Sequence, residues 1–177
     1  DIRQGFGAII PPGVEFTISN GGEKPLTMYV IEEKLPKGFV PGKRITVRND
    51  FDMPVNTNRN RSDARGWLFS SRDGLASLTG MDPIVFLPRS YVPPHVHLPG
   101  DEEIWIALDE INIQIGSERR LLREGSAYRS PADGRTPHVN INATDSDKRL
   151  LWIMRVPESS GERQVPDGRG MNRDGTI

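Results

Sequence analysis

Short apolar runs separated by turn-forming residues leave this chain little room for long helices. Its 177 residues include 18 glycines and 15 prolines, spread along the sequence rather than gathered into one tract. Glycine tolerates positive φ in tight turns and proline lacks a backbone donor, so both punctuate strands. Turns are expected at Arg72-Asp73-Gly74, Gly116-Ser117 and Asp133-Gly134. Between such points Ile111-Asn112-Ile113-Gln114-Ile115 alternates apolar and polar residues, the period of a strand with one face in a core. The pattern predicts an all-β protein, a barrel or sandwich, with no helix required before the C-terminal tail. Strands are expected over residues 67–70, 76–79, 82–87, 92–97, 103–108, 111–115, 119–122, 127–130, 138–142 and 149–156.

Charge and composition narrow the function. Lys and Arg number 23 against 24 Asp and Glu, a formal net charge of −1. With no long basic run there is no electrostatic footprint for nucleic acid or an anionic membrane, so neither is an expected partner. No apolar stretch approaches the length of a bilayer and no signal-peptide pattern opens the chain, so a soluble protein is expected. The absence of cysteine excludes disulfides and thiolate ligands and is compatible with cytoplasm and periplasm alike.

All 3 histidines fall in two short segments. The first reads Pro93-Pro94-His95-Val96-His97-Leu98-Pro99-Gly100-Asp101-Glu102-Glu103-Ile104-Trp105. Residues i and i+2 of a strand face the same side, so His95 and His97 can converge on one point. A lone pair of this kind is commonly surface decoration. Here a carboxylate follows, and a second segment with Gly125, Pro131, Gly134, His138 and Asn142 supplies a third imidazole at the start of another strand-like run. Imidazole together with carboxylate suits Zn, Fe, Mn, Ni or Co better than Ca or Mg.

These segments resemble the paired motifs of the cupin superfamily. The first family motif runs from His-x-His through three or four residues to Glu. Glu102 keeps the commoner spacing from His97, whereas Glu103 stands directly before the apolar run 104–108, where the family places its ligand; strand phase favours Glu103. In the second motif Gly125 and Pro131 keep the family separation, as do His138 and Asn142. The intervals from Pro131 to Gly134 and from Gly134 to His138 are each one residue longer than the pattern. The glycine that opens the first motif is absent, and Glu110 replaces the one that closes it. The resemblance implies an antiparallel jelly-roll β-barrel holding one divalent transition metal (Fe, Mn, Ni, Zn or Co) on His95, His97, Glu103 and His138.

Three imidazoles and one carboxylate leave two positions of an octahedral metal open, which permits Lewis-acid or dioxygen chemistry. Cupins include dioxygenases, isomerases, decarboxylases and lyases acting on small oxygen-rich acids or sugars, and also proteins that only bind a ligand. The expectation is a metal-dependent enzyme of dioxygenase, isomerase or lyase type. The alternative is a non-catalytic, metal-containing module that binds or senses a small ligand. If Glu103 points inward, so does Trp105; if His138 does, so does Asn140. Trp105, Asn140 and Tyr128 are the substrate-binding candidates, although core packing suits Trp105 equally and backbone capping suits Asn140. Acid–base work falls to water on the metal, Tyr128, Glu102 or a substrate group. Cupins commonly pair through edge strands, so a homodimer is expected.

Residues 8–32 resemble the closing half of another cupin: Pro11, Gly13 and Asn20 occupy second-motif positions, with Phe16 where a histidine would stand. No metal is expected there. The chain opens at Asp1, just before this half motif, and is expected to be the later part of a two-cupin polypeptide; a simple strand-turn-strand arm is the alternative. The expected division is closing strands of a degenerate amino-terminal half over 1–35, packed as strands, a linker over 36–66, the metal-binding barrel over 67–157 and a polar, glycine-rich tail over 158–177. Arg59, Arg61 and Arg65 read as a solvated cluster of the linker rather than a phosphate site.

Overall fold

The computed structural model describes residues 2–57, 61–64 and 68–156. Its strands, in chain order, are β1 (Phe6–Ile9), β2 (Thr46–Asn49), β3 (Val55–Thr57), β4 (Arg61–Ala64), β5 (Phe69–Ser70), β6 (Gly80–Phe86), β7 (Ser90–Tyr91), β8 (Glu102–Ala107), β9 (Ile111–Ile115), β10 (Glu118–Leu122), β11 (Ala127–Arg129), β12 (His138–Asn142) and β13 (Lys148–Arg155). Single 3₁₀ turns at Asp50–Asp52 and Ser71–Asp73 are the helical elements among the described residues. No described helix is long and apolar enough to cross a membrane.

Two antiparallel sheets enclose the core. One has the order β10-β9-β12-β7; the other runs β11-β8-β13-β6-β4-β3, with β5 added on β6. Strand alternation decides what lies between them. In β8, Glu103, Trp105 and Ala107 are buried while Ile104 is exposed, and in β9 Ile111 and Ile113 are buried. Trp105, Ala107, Ile111 and Ile113 join Ile84, Phe86, Leu122 and Leu150 in one apolar cluster. Burying each large side chain contributes roughly 1.5–3 kcal/mol relative to exposure, and the cluster ties both sheets into a jelly-roll barrel.

Asn142 locks one end of this barrel. Its amide donates to the carbonyls of Phe86 (2.9 Å), Leu87 (2.9 Å) and Ser146 (2.8 Å), and its oxygen accepts from the Thr144 amide (3.0 Å) and hydroxyl (2.8 Å). The asparagine of the second motif therefore serves the backbone of the turn after β12 and the exit of β6.

The expected strands at 111–115 and 138–142 coincide with β9 and β12, and those at 82–87, 103–108, 119–122, 127–130 and 149–156 fall on β6, β8, β10, β11 and β13 with small shifts at their ends. Two expectations are corrected. Residues 76–79 form no strand; the amides of Ala76, Ser77 and Leu78 instead converge on the Glu33 carboxylate at 2.9, 2.8 and 2.7 Å. Residues 92–97 likewise form no continuous strand: the Val92 N–H donates to the Asn140 carbonyl at 3.2 Å, Pro93 and Pro94 have no N–H to donate, and His95 makes an isolated bridge to His138.

The amino-terminal portion also differs from expectation. Strand structure is confined to β1, which pairs with β2; residues 10–45 contain no strand and their large apolar side chains, Phe16 included, are largely exposed. Part of the expected linker is sheet, since β3 pairs with β4 and β4 continues onto β6. Strand β1 approaches Phe69 so closely that a Cβ on Gly7 would lie 2.6 Å from the ring. Ile9 and Met53 pack there on a second small cluster of Leu68, Phe69 and Leu75. Trp67, Arg59, Arg65 and the tail over 158–177 lie outside the described residues.

Replacing Asn142 by Ala should lower the unfolding free energy by about 2–3 kcal/mol, because buried carbonyls lose their donors. Urea denaturation followed by far-UV circular dichroism checks this; an unchanged midpoint would mean that the network is not structural.

Candidate metal centre

The barrel brings together the two histidine segments. His138 opens β12, and its N–H donates to the His95 carbonyl at 3.0 Å while its carbonyl accepts from the His95 N–H at 3.4 Å. The loop before β12 folds back onto the first segment, with the Gly134 N–H donating to the His97 carbonyl at 2.8 Å. Asp133 shapes that loop: one carboxylate oxygen accepts from the amides of Arg135 (2.8 Å) and Thr136 (2.7 Å), the other from the Thr136 hydroxyl (2.6 Å). These donors, the Thr136 hydroxyl foremost, pull the Asp133 carboxyl down to about 2. Gly134, at φ +71°, takes the left-handed conformation that lets the loop turn.

His95, His97, Glu103 and His138 each offer one ligand atom, and these four atoms lie within 4.8 Å of one another. The structure brings in Glu103 and turns Glu102 outward, where it pairs with Arg129 at 3.0 Å and Arg155 at 3.2 Å. Glu103 Oε2 is 2.9 Å from Nε2 of His97 and 2.9 Å from Nε2 of His138. Neither nitrogen makes an aligned hydrogen bond, although both are buried. The atoms are close, but the ring nitrogens are not aimed at the oxygen. Buried nitrogens left without partners are costly, and a cation among the donor atoms would satisfy them. His95 Nδ1 lies 3.0 Å from the Pro93 carbonyl, which leaves its Nε2 as the ligand atom. This donor set fits a divalent transition metal.

Glu103 is itself held. Trp152 Nε1 donates to Oε1 at 2.7 Å, and the Ser130 hydroxyl donates to Oε2 at 2.5 Å. With Oε1 committed to the indole, Oε2 is the oxygen that faces the imidazoles. Neither Trp152 nor Ser130 stands out in the sequence. Trp152 becomes legible only through strand register, which sets it opposite Trp105 between β13 and β8, and the two indoles stack at 5.6 Å.

The remaining candidates lie around this centre. Trp105 is 1% exposed and belongs to the apolar cluster between the sheets. Asn140 is equally buried, and its oxygen accepts from the Tyr128 hydroxyl at 2.7 Å. The Tyr128 and His138 rings meet edge to face at 6.2 Å.

Electrostatics separate the titratable groups. Burial, followed by the neighbouring His138, drives His95 down to about 4, so its ring is neutral and its lone pair available. Burial would lower His97 too, but the adjacent Glu103 carboxylate outweighs it and raises His97 above 6.5. Burial would raise Glu103, yet contacts with His138 and His97 hold its carboxyl well below the usual range. Burial and the Glu103 charge push the Tyr128 phenol well above 10, so it stays protonated.

Neither a sequence-family model nor a curated protein matches this chain. Solved structures do. The polyketide cyclase RemF of Streptomyces resistomycificus superimposes with a TM-score of 0.54 at 17% identity, covering 67% of this chain and 83% of its own. A predicted oxalate decarboxylase of Thermotoga maritima gives 0.53 at 16% identity over 62% of this chain and 97% of its own. The plu4264 protein of Photorhabdus luminescens gives 0.51 at 21% identity over 63% and 88%. The fold is the cupin jelly roll that the two motifs resemble.

Two outcomes follow from the held carboxylate and its charged neighbour. Trp152→Phe should leave the barrel folded and weaken metal binding by about tenfold, the effect of removing a group that orients a ligand; competition with a chromophoric chelator measures it, and unchanged affinity would deny Trp152 that role. Metal binding should also release a proton from His97 but none from His95 above pH 5. Affinity then climbs with pH through the range just above 6.5, because His97 must lose its proton to ligate while His95 has already lost its own. The same raised value stabilises the apo-protein below pH 6.5, an increment lost as pH rises through the folded value. Calorimetry in buffers of different ionisation enthalpy counts the protons, and the count should fall to zero well above that range.

Proposed function

We propose that this protein is a metal-dependent cupin enzyme of dioxygenase, isomerase or lyase type, acting on a small oxygen-rich acid or sugar-like substrate. One observation carries the reading: four ligand atoms from three imidazoles and one carboxylate lie within 4.8 Å, with buried ring nitrogens that find no partner in the protein. His95, His97, Glu103 and His138 would hold one divalent metal, Fe, Mn, Ni, Zn or Co. Such a metal polarises a substrate carbonyl or hydroxyl, or brings dioxygen chemistry when it is redox-active.

The chain's own residues shape what surrounds it. Trp152 and Ser130 orient Glu103, Trp105 and the apolar cluster exclude water from one side, and the protonated Tyr128 phenol, donating to Asn140, lies edge to face with the His138 ring. We assign the chemistry to the barrel over 67–157 and propose that the amino-terminal half motif, the linker and the tail do not contribute ligands. The partner is a small molecule rather than nucleic acid. Copies of the chain pair as a homodimer through sheet edges, β10 and β3 being end strands of their sheets among the described residues.

A second reading, a metal-containing binding or sensory module, draws on the same site: Tyr128 and Asn140 are engaged with each other, and neither is a base. Elemental analysis and turnover assays separate the two. The purified protein should carry one divalent metal per chain. His97→Ala should lose it while retaining the wild-type circular dichroism spectrum, since the apolar core does not involve His97. Metal retained at full occupancy in that variant would refute the ligand assignment. Turnover of small hydroxy- or oxo-acids or sugars, abolished by His138→Ala, would support the enzyme; tight ligand binding without turnover would leave the binding module.

A further inference from the structure

The two half motifs share one turn. Asn142 Oδ1 accepts from the amide two residues on, that of Thr144 at 3.0 Å, and its Nδ2 donates to the carbonyl four residues on, that of Ser146 at 2.8 Å. Asn20 does the same: its Oδ1 accepts from the Gly22 amide at 3.0 Å and its Nδ2 donates to the Lys24 carbonyl at 2.7 Å. Side-chain bonds of this kind close a turn locally. The surroundings differ. Asn142 is 1% exposed, its amide also serves Phe86 and Leu87, and Ala143 follows it. Asn20 is exposed, and Gly21 follows it, the one Asn-Gly step in the chain.

That step sets a nucleophile beside an electrophile. The Gly21 N–H makes no hydrogen bond among the described residues, so its nitrogen is free to attack. Gly21 has no side chain to crowd the approach, and nothing lies within 4 Å of where its Cβ would be. The bond from the Gly22 N–H polarises the Asn20 side-chain carbonyl and draws electrons from Cγ. Asn56 in β3 is likewise exposed, but the stiff, β-branched Thr57 follows it. Exposure and an unhindered neighbour coincide at Asn20.

We propose that Asn20-Gly21 is a site of spontaneous deamidation and that the modification opens the turn over residues 20–24. Solvent takes the Gly21 amide proton, the nitrogen bonds to Asn20 Cγ, and the Cγ–Nδ2 bond breaks as Nδ2 leaves in ammonia. Water then opens the cyclic imide. Cleavage of the new N–Cγ bond gives aspartate. Cleavage of the bond between that nitrogen and the Asn20 main-chain carbonyl carbon gives isoaspartate, whose main chain is longer by a methylene. The net change takes up water and releases ammonia, with no oxidation or reduction. In either product an ionised carboxylate, which only accepts, replaces the amide donor. The Lys24 carbonyl loses its partner and faces a negative charge.

The full chain, aged in neutral buffer, is digested with trypsin to release residues 4–34, in which Asn20 is the one asparagine. Mass spectrometry with fragmentation locates the exchange of amide for carboxylate, and enzymatic methylation detects isoaspartate. Asn20 should convert at least about tenfold faster than Asn56 or Asn142, a barrier lower by about 1.4 kcal/mol. Gly21→Val, for which the turn has room, should slow the conversion by at least about tenfold. Asn20 left intact, or converting no faster than Asn56, overturns the site. An unchanged rate in Gly21→Val, or aspartate without isoaspartate, overturns attack by the backbone nitrogen. Asn20→Asp reproduces one product and should speed cleavage after the exposed Glu23 by a glutamate-specific protease. Cleavage of that variant at the wild-type rate overturns the opening of the turn.

Discussion

A carboxylate buried to 1% exposure is the constraint around which the barrel interior is arranged. Glu103 would be strongly disfavoured in an apolar core without compensation. It is compensated from several directions: an indole N–H from β13, a hydroxyl just beyond β11, and two imidazoles that approach its second oxygen. The groups that ionise Glu103 also orient it, so its charge and its position come from the same contacts. His97 gains charge preference from the carboxylate, and His95, where desolvation and the neighbouring His138 outweigh the pull of the same carboxylate, loses it. Desolvation and one buried anion thus push chemically identical rings in opposite directions.

The centre spans both sheets. Glu103 belongs to β8 of the larger sheet and His138 to β12 of the smaller one, while His95 and His97 sit on the irregular stretch between β7 and β8. Beside them the apolar cluster packs between the two sheets.

Much of this was legible in the sequence because it rests on local periodicity. Alternation located β9 and β12 to the residue, and strand phase chose Glu103 over Glu102. What was not legible depends on pairings between distant strands. Trp152 lies 49 residues from Glu103, and its role appears only when β13 is set against β8. Ser130 reaches the same carboxylate by continuing the β11 pairing past its last strand residue. The stretch 76–79 reads as a strand, yet its amides are turned toward Glu33, a tertiary contact that overrides local preference. Residues 92–97 also look like a strand, but their prolines forgo the ladder and the histidines are fixed by bonds to the far segment. Over 10–45 the apolar residues promise burial that the described structure does not give them.

The loop shaped by Asp133 carries a wider consequence. Relative to the family pattern it has an extra residue on each side of Gly134, yet both ends are fixed: the Gly134 amide by His97, and His138 by its ladder pairing with His95. Added length is taken up by a self-capped turn and does not reach the ligands. For a site built this way the quantity that matters is the pair of backbone anchors, and the number of residues between them can drift. Motif definitions that count intervals will pass over chains whose anchors are intact. A definition written as cross-strand pairings, with one histidine facing another across a bridge and a glycine amide tied to the second histidine of the pair, would recognise them whatever the loop length.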